Sequence, residues 1–174
     1  GGGLSGCSTA LHLAERGYRV ALLEGRRIAW GASGRSGGQA IAGFASSQDT
    51  LAEQVGLDAA RRMWDVSVEA IELLKERIQR HSIDCDLHWG QMHVAVKPRH
   101  VTELKTWQQE MTGSYAYAGT RWLERDEVRE WIASHRYLGG LYDPRSGHLH
   151  PLNYTLGLAT AAEAAGVRIF ENSQ

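Results

Sequence analysis

The stretch Gly1-Gly2-Gly3-Leu4-Ser5-Gly6 opens the chain, and a helical run leads from it to Tyr18-Arg19-Val20-Ala21-Leu22-Leu23-Glu24. Three of its glycines have the GxGxxG spacing of dinucleotide-binding loops. Gly1 permits a tight turn, Gly3 lets the backbone approach a pyrophosphate, and Gly6 lets the following helix pack closely on the sheet. We therefore expect a nucleotide site at the start of this chain, with contacts from Gly1, Gly3, Leu4, Ser5 and Gly6.

The segments after the glycines supply the context that this motif requires. Residues 4–16 have helical periodicity, Gly17 ends the helix, and the apolar run 20–23 is typical of a central parallel strand. Glu24 lies 18 residues beyond Gly6 and closes that strand, where a carboxylate can accept from ribose hydroxyls and disfavours a 2′-phosphate. The motif normally follows a strand, so we expect that a preceding strand has been cut off.

A second glycine-rich stretch follows at Gly31-Ala32-Ser33-Gly34-Arg35-Ser36-Gly37-Gly38-Gln39. One interpretation is a flexible surface loop. The other is a ligand-binding loop, because glycines and hydroxyls close behind a nucleotide motif suit a close approach of the backbone to a ligand. We favour the ligand-binding loop.

The composition is that of a globular protein: 174 residues, 43% hydrophobic and 22% charged, with a formal net charge of −1. This charge gives no reason to expect nucleic acid or an anionic membrane as a partner. No apolar run approaches the roughly 20 residues of a membrane span. The two cysteines, Cys7 and Cys85, have no metal-ligand spacing, which predicts reduced thiols and a cytoplasmic protein.

The rest of the chain mixes helices and strands. Residues 57–81 have the pattern of one long scaffold helix, and Asp143-Pro144-Arg145-Ser146-Gly147 has the composition of a turn after a strand at 138–142. Asn153 is expected to cap a helix over 154–165, before a strand at 167–170. We predict three segments: the first part of a nucleotide-binding domain at 1–81, part of a substrate domain at 82–147, and a return to the first domain at 148–174.

Taken together, these motifs resemble the D-amino-acid-oxidase-like family of FAD-dependent oxidoreductases, particularly the gamma-glutamylputrescine oxidases and related amine oxidases. The resemblance extends over the whole chain. It is carried by both glycine stretches, by Ala10-Leu11-His12-Leu13-Ala14, by Leu23-Glu24, and by Gly147-His148-Leu149-His150-Pro151-Leu152-Asn153. It implies an α/β fold: a Rossmann-type, glutathione-reductase-like FAD domain with an inserted α+β substrate domain, here incomplete at both ends.

The resemblance also implies a reaction, in which the C–N bond of an amine or amino acid is oxidised to an imine by hydride transfer to FAD. Oxygen or an electron carrier then takes the electrons. Along the pyrophosphate and toward the flavin, the resemblance places Ser33, Gly34, Arg35, Gly38 and Gln39. It places the substrate-facing residues partly in the middle domain and largely beyond Gln174, so the catalytic residues stay unassigned and are expected beyond residue 174.

Alternatives remain for cofactor and acceptor. A quinone-linked dehydrogenase of the D-amino-acid type is one, and an NAD-binding Rossmann protein is the other, although such a protein has no need of the stretch 31–39. His148 and His150 are spaced to lie on one side of a strand, but the sequence offers no third ligand, and we predict no metal.

Residues 1–174 alone are expected not to oxidise amines, because a parallel sheet that lacks neighbouring strands leaves an apolar edge open to aggregation. The check is to express these residues, refold them with excess FAD, and measure peroxide release across polyamines and amino acids. Turnover comparable to that of a full-length relative would contradict the expectation.

Overall fold

The computed structural model describes residues 1–173, which form two compact units. The first unit comprises Gly1–Gln39, Glu72–Leu87 and the chain from Leu149 onward, and the second comprises Ala40–Ile71 and His88–His148. The unit boundaries therefore differ from the predicted segment boundaries, because residues 40–71 group with the second unit and residues 82–87 with the first. The long helix contributes residues to both units.

The helices and strands alternate along most of the chain. The helices are α1 (Leu4–Glu15), α2 (Gln48–Val55), α3 (Leu57–Arg80), α4 (Pro98–Ser114), α5 (Arg125–Trp131) and α6 (Pro151–Ala164), with a 3₁₀ turn at Ala32–Arg35. The strands are β1 (Ala21–Leu23), β2 (Gln39–Ala40), β3 (His88–Ala95), β4 (Arg121–Glu124), β5 (Gly139–His148) and β6 (Arg168–Phe170).

In the first unit, β1 pairs in parallel with β6, and Leu22 lies opposite Ile169. Helices α1 and α6 both bury one face in the core of this unit. Both thiols lie in that core: burial raises the pKa of Cys7 to about 11 and also raises the pKa of Cys85. Both cysteines are therefore free, neutral and packed as small apolar side chains.

The start of α6 differs from the prediction. The helix begins at Pro151, and its N-cap is His150, whose Nδ1 accepts a hydrogen bond from the Asn153 N–H at 3.2 Å. Asn153 is therefore inside the first turn and is not the cap. Proline favours this register because its fixed φ suits the first helical position and its missing N–H would have no intrahelical partner there.

The second unit contains an antiparallel sheet in which β5 pairs with both β3 and β4. The predicted turn at 143–147 is wrong, since these residues belong to β5. The carboxylate of Asp143 accepts from the Ser146 hydroxyl at 2.6 Å, from the Tyr117 hydroxyl at 2.9 Å and from the Arg145 N–H at 3.0 Å. These bonds hold residues 143–147 as an irregularity within β5. On the paired strand β3, Trp89 lies opposite Gly147 and Gln91 opposite Asp143, so the register shifts between them.

The two glycines Gly157 and Gly113 offer a matched test of helix packing. A Cβ at Gly157 in α6 would overlap the side chain of Ile83, whereas a Cβ at Gly113 in α4 would meet open space. Gly157→Ala is therefore expected to lower the free energy of unfolding by about 1–3 kcal/mol through overpacking. Gly113→Ala is expected to leave it unchanged or raise it by up to about 1 kcal/mol. Urea denaturation of both variants measures this, and an equal response would contradict the packing of α6 against Ile83.

Candidate cofactor-binding site

Glu24 joins the glycine loop to the end of β1. Its Oε2 accepts from the Gly2 N–H at 2.5 Å, and its Oε1 accepts from the Arg26 N–H at 2.9 Å. Pairing of β1 with β6 places this residue, because the Glu24 N–H donates to the Phe170 carbonyl at 2.9 Å. The Gly2 carbonyl accepts in turn from the Ala29 N–H at 2.9 Å. The acid thus orients the loop at a defined position on the sheet.

The hydrogen bonds that Glu24 accepts also fix its charge. The Gly2 N–H, and after it the Arg26 N–H, lower the pKa of the Glu24 carboxyl below its ordinary value. The bonds therefore stabilise the loop fully at pH values above the ordinary pKa of a glutamate. This stabilisation is lost as the pH falls through the lowered pKa of Glu24. At neutral pH Glu24 is an anion with acceptor capacity beyond these two bonds, as a contact with ribose hydroxyls requires.

The first turn of α1 has the properties of a phosphate-binding helix start. Gly3 is the N-cap and provides no side chain, and the first turn contains no acidic residue. A Cβ at Gly6 would overlap the Gly1 carbonyl oxygen, so the close turn requires glycine at position 6. The first-turn amides of a helix lack intrahelical partners and attract anions. This glycine-lined helix start fits a dinucleotide pyrophosphate.

Ser33 links the second glycine stretch to this cradle. Its Oγ accepts from the Leu4 N–H at 2.8 Å, and a Cβ added at Gly3 would stand 3.0 Å from the same oxygen. Gly34 packs so closely on the Ala29 carbonyl oxygen that a Cβ there would overlap it. The stretch from 31 to 39 is therefore an ordered part of the first unit, lying against the glycine loop.

The end of the second stretch is held by the backbone that enters α6. Gly38 has a φ of +70°, a conformation that favours glycine, and a Cβ there would overlap the Leu149 carbonyl oxygen. The Leu149 N–H donates to the Gly38 carbonyl at 2.9 Å. Gln39 follows as the exposed first residue of β2. Gly38 therefore allows the stretch to pass close to the segment that precedes α6.

Two arginines flank the ring of Trp30. The Arg35 Nε donates to the Trp30 carbonyl at 2.9 Å, and its guanidinium lies 5.3 Å from the ring centroid. Arg26 lies on the same ring at 5.6 Å. Arg26 follows Glu24 and packs on Trp30, which gives it a local structural role. Its presence therefore does not require a cofactor with a 2′-phosphate.

The structure thus gathers Gly1, Gly3, Leu4, Gly6, Glu24 and Ser33 around one loop, and Ser5 lines a groove beside Gly1 and Gly6. Gly2 was missed by the sequence reasoning, although it carries the amide that binds Glu24. A Cβ there would meet Ile28 Cδ1 at 2.5 Å and Glu24 Cγ at 3.1 Å. The run of three glycines was the available signal, because only two of them were explained by the motif.

The two histidines considered as metal ligands have other partners. The His148 ring stacks on His88 with centroids 5.5 Å apart, and His150 caps α6. Residues 1–173 contain no group of three or more His, Cys, Asp or Glu side chains arranged to hold a metal ion. Within the same residues, no helix combines the length and the apolar character needed to cross a membrane.

The fold and the loop define a flavin-dependent redox protein: the chain belongs to the FAD dependent oxidoreductase family, which matches residues 1–174. It is 44% identical over 173 residues to "Probable oxidoreductase OrdL" from Haemophilus influenzae, and 40% identical to gamma-glutamylputrescine oxidoreductase from Escherichia coli. In both cases 99% of this chain is covered, and the chain spans about 40% of the length of these relatives.

A solved structure supports the same fold. Glycine oxidase from Geobacillus kaustophilus superposes with a TM-score of 0.75 at 25% identity, over 99% of this chain and 45% of that one. The predicted resemblance, fold class and FAD cofactor are confirmed. Because the family's cofactor is FAD, the NAD-binding alternative is set aside.

Glu24 offers a sharp test of the site in the protein expressed from its whole reading frame. Glu24→Ala is expected to weaken FAD binding about tenfold or more, because hydrogen bonds to a charged group are lost. Glu24→Gln keeps an acceptor for the Gly2 amide and should lose less. Glu163→Ala, at an exposed position in α6, is the matched control. Flavin fluorescence titration measures all three, and wild-type affinity in Glu24→Ala would remove Glu24 from the site.

Proposed function

We propose that the whole protein oxidises the C–N bond of a small amine or amino acid, with FAD held by the first unit. The main support for this proposal is the hydrogen bond between Glu24 and Gly2. It places a carboxylate beside a glycine-lined helix start, at the end of the paired strands β1 and β6. The named relatives include a gamma-glutamylputrescine oxidoreductase and a glycine oxidase, whose names specify an amine and an amino acid. We propose an amine of the gamma-glutamylputrescine type as the substrate.

The residues of the first unit have distinct roles in this proposal. The loop from Gly1 to Gly6 binds the diphosphate through backbone amides, and Glu24 accepts from the ribose hydroxyls. Ser33 holds the Leu4 amide, and therefore orients the loop as well as lining it. When bound, FAD supplies the acceptor for a pair of electrons.

The second glycine stretch would continue the cofactor site. Gly34 and Gly38 allow close backbone approach, because neither position has space for a Cβ. Arg35 is held by Trp30 and offers a cation near the loop, and Gln39 is an exposed amide at the start of β2. These residues are proposed to extend along the pyrophosphate and toward the flavin ring.

The second unit is proposed to be part of the substrate domain. Its strands β3, β4 and β5 pair antiparallel, whereas β1 and β6 of the first unit pair in parallel. Its core also contains a cluster of aromatic side chains around Trp64. The oxidation removes two electrons and two protons from the C–N unit, and water then converts the imine to a carbonyl compound and an amine. We propose a cytoplasmic location, which the two reduced thiols support.

The acceptor and the substrate are tested together on the protein expressed from its whole reading frame and loaded with FAD. Gamma-glutamylputrescine, polyamines, glycine and D- and L-amino acids are supplied in turn, either with oxygen or with a quinone analogue under nitrogen. We expect the amines to be oxidised to carbonyl products, with peroxide release if oxygen is the acceptor. Faster turnover with the quinone would identify a dehydrogenase. No turnover of any amine or amino acid by FAD-loaded protein would contradict the proposal.

A further inference from the structure

The first unit contains a buried positive charge that the cofactor site does not use. Arg77, near the end of α3, is only 5% exposed. Its Nη1 donates to the Ser8 carbonyl at 3.3 Å, its Nη2 lies 3.3 Å from His12 Nδ1, and its Nε has no partner. Among the ion pairs formed within residues 1–173, none involves Arg77.

This arrangement is costly without a counter-ion. A guanidinium stays protonated in a protein, and a buried charge without a counter-ion is strongly destabilising. One acid of the same region, Glu15, already has two other neighbours. Its Oε1 lies 3.5 Å from Arg80 Nη2 and 3.2 Å from His81 Nε2. Arg77 therefore contacts one carbonyl oxygen and one histidine ring nitrogen, and it forms no ion pair with a carboxylate of residues 1–173.

Arg77 lines a cavity of about 290 Å³ between the C-terminal parts of α1 and α3. Two further guanidinium groups, those of Arg16 and Arg80, line the same cavity, against the two carboxylates of Glu15 and Glu76. The lining carries one positive charge in excess before either of its histidines is counted. We call it the arginine cavity.

We propose that the arginine cavity is a binding site for a phosphate group, either inorganic phosphate or a small phosphate ester. A carboxylate offers two oxygens and satisfies a single guanidinium fork, whereas a tetrahedral phosphate can accept from several guanidinium groups at once. A buried guanidinium with no carboxylate partner in the described chain and the excess positive charge of the lining both favour such an anion.

The site is separate from the proposed FAD site. The cavity contacts α1 at His12 and Arg16, whereas the glycine loop lies before Leu4 at the other end of the helix. His12 follows Leu4 by eight helical steps, on the order of 12 Å along the axis. Because Arg77 donates to Ser8, an anion bound there would rest on the same helix that begins at the cofactor loop.

The test uses the protein expressed from its whole reading frame and loaded with FAD. Inorganic phosphate and glycerol 3-phosphate are titrated calorimetrically at constant ionic strength, with chloride and acetate as comparison anions. We expect saturable phosphate binding that excess FAD does not displace. Tighter binding of inorganic phosphate or of glycerol 3-phosphate would show whether the site takes the free anion or a phosphate ester. Displacement by FAD, or tighter binding of acetate, would overturn the proposal.

Three variants locate the binding. Arg77→Met replaces a buried unpaired cation by an apolar side chain, a change that proteins often tolerate, and should weaken phosphate at least tenfold. Arg80→Gln acts at a side chain that is 58% exposed, so it should keep the fold and weaken phosphate several-fold, which decides the question if Arg77→Met fails to fold. Arg19→Met, exposed and outside the cavity, should bind as the wild type does. Unchanged affinity in Arg80→Gln together with any folded Arg77→Met would overturn the proposal.

Discussion

The cofactor site depends on one hydrogen bond, from the Gly2 N–H to the Glu24 carboxylate. It joins the loop before α1 to the end of β1, and the Glu24 backbone is in turn tied to β6. Because the acid is bound by two backbone amides, its pKa is lowered and its charge persists at neutral pH. The same group can therefore hold the loop in place and remain an acceptor for a ribose.

Glycine is required at three positions near this bond, because a Cβ at each would overlap a different backbone carbonyl oxygen. Gly6 accommodates the Gly1 carbonyl, Gly34 the Ala29 carbonyl and Gly38 the Leu149 carbonyl. The first contact closes the glycine loop, the second closes the following stretch, and the third joins that stretch to the segment before α6. Through Ser33 and Leu4 the two glycine stretches form one surface, as a long cofactor would require.

Much of this could be predicted from the sequence, because local rules governed it. The glycine spacing, the apolar run at β1 and the terminal acid each follow from backbone sterics and burial. The prediction failed at residues 143–147 for a tertiary reason: Tyr117, distant in sequence, joins the local donors Arg145 and Ser146 in satisfying Asp143 within β5. The role of Gly2, and the unpaired charge of Arg77, depend on distant partners that sequence patterns do not identify.

If the two glycine stretches form a single FAD site, hydrogen exchange should show FAD protecting both of them. Amide exchange is measured by mass spectrometry on the apoprotein and the FAD-loaded protein, both expressed from the whole reading frame. We expect FAD to slow exchange in peptides covering residues 1–6 and 31–39 together, with little change in α4. Protection confined to one stretch, or absent from both in fully loaded protein, would contradict it.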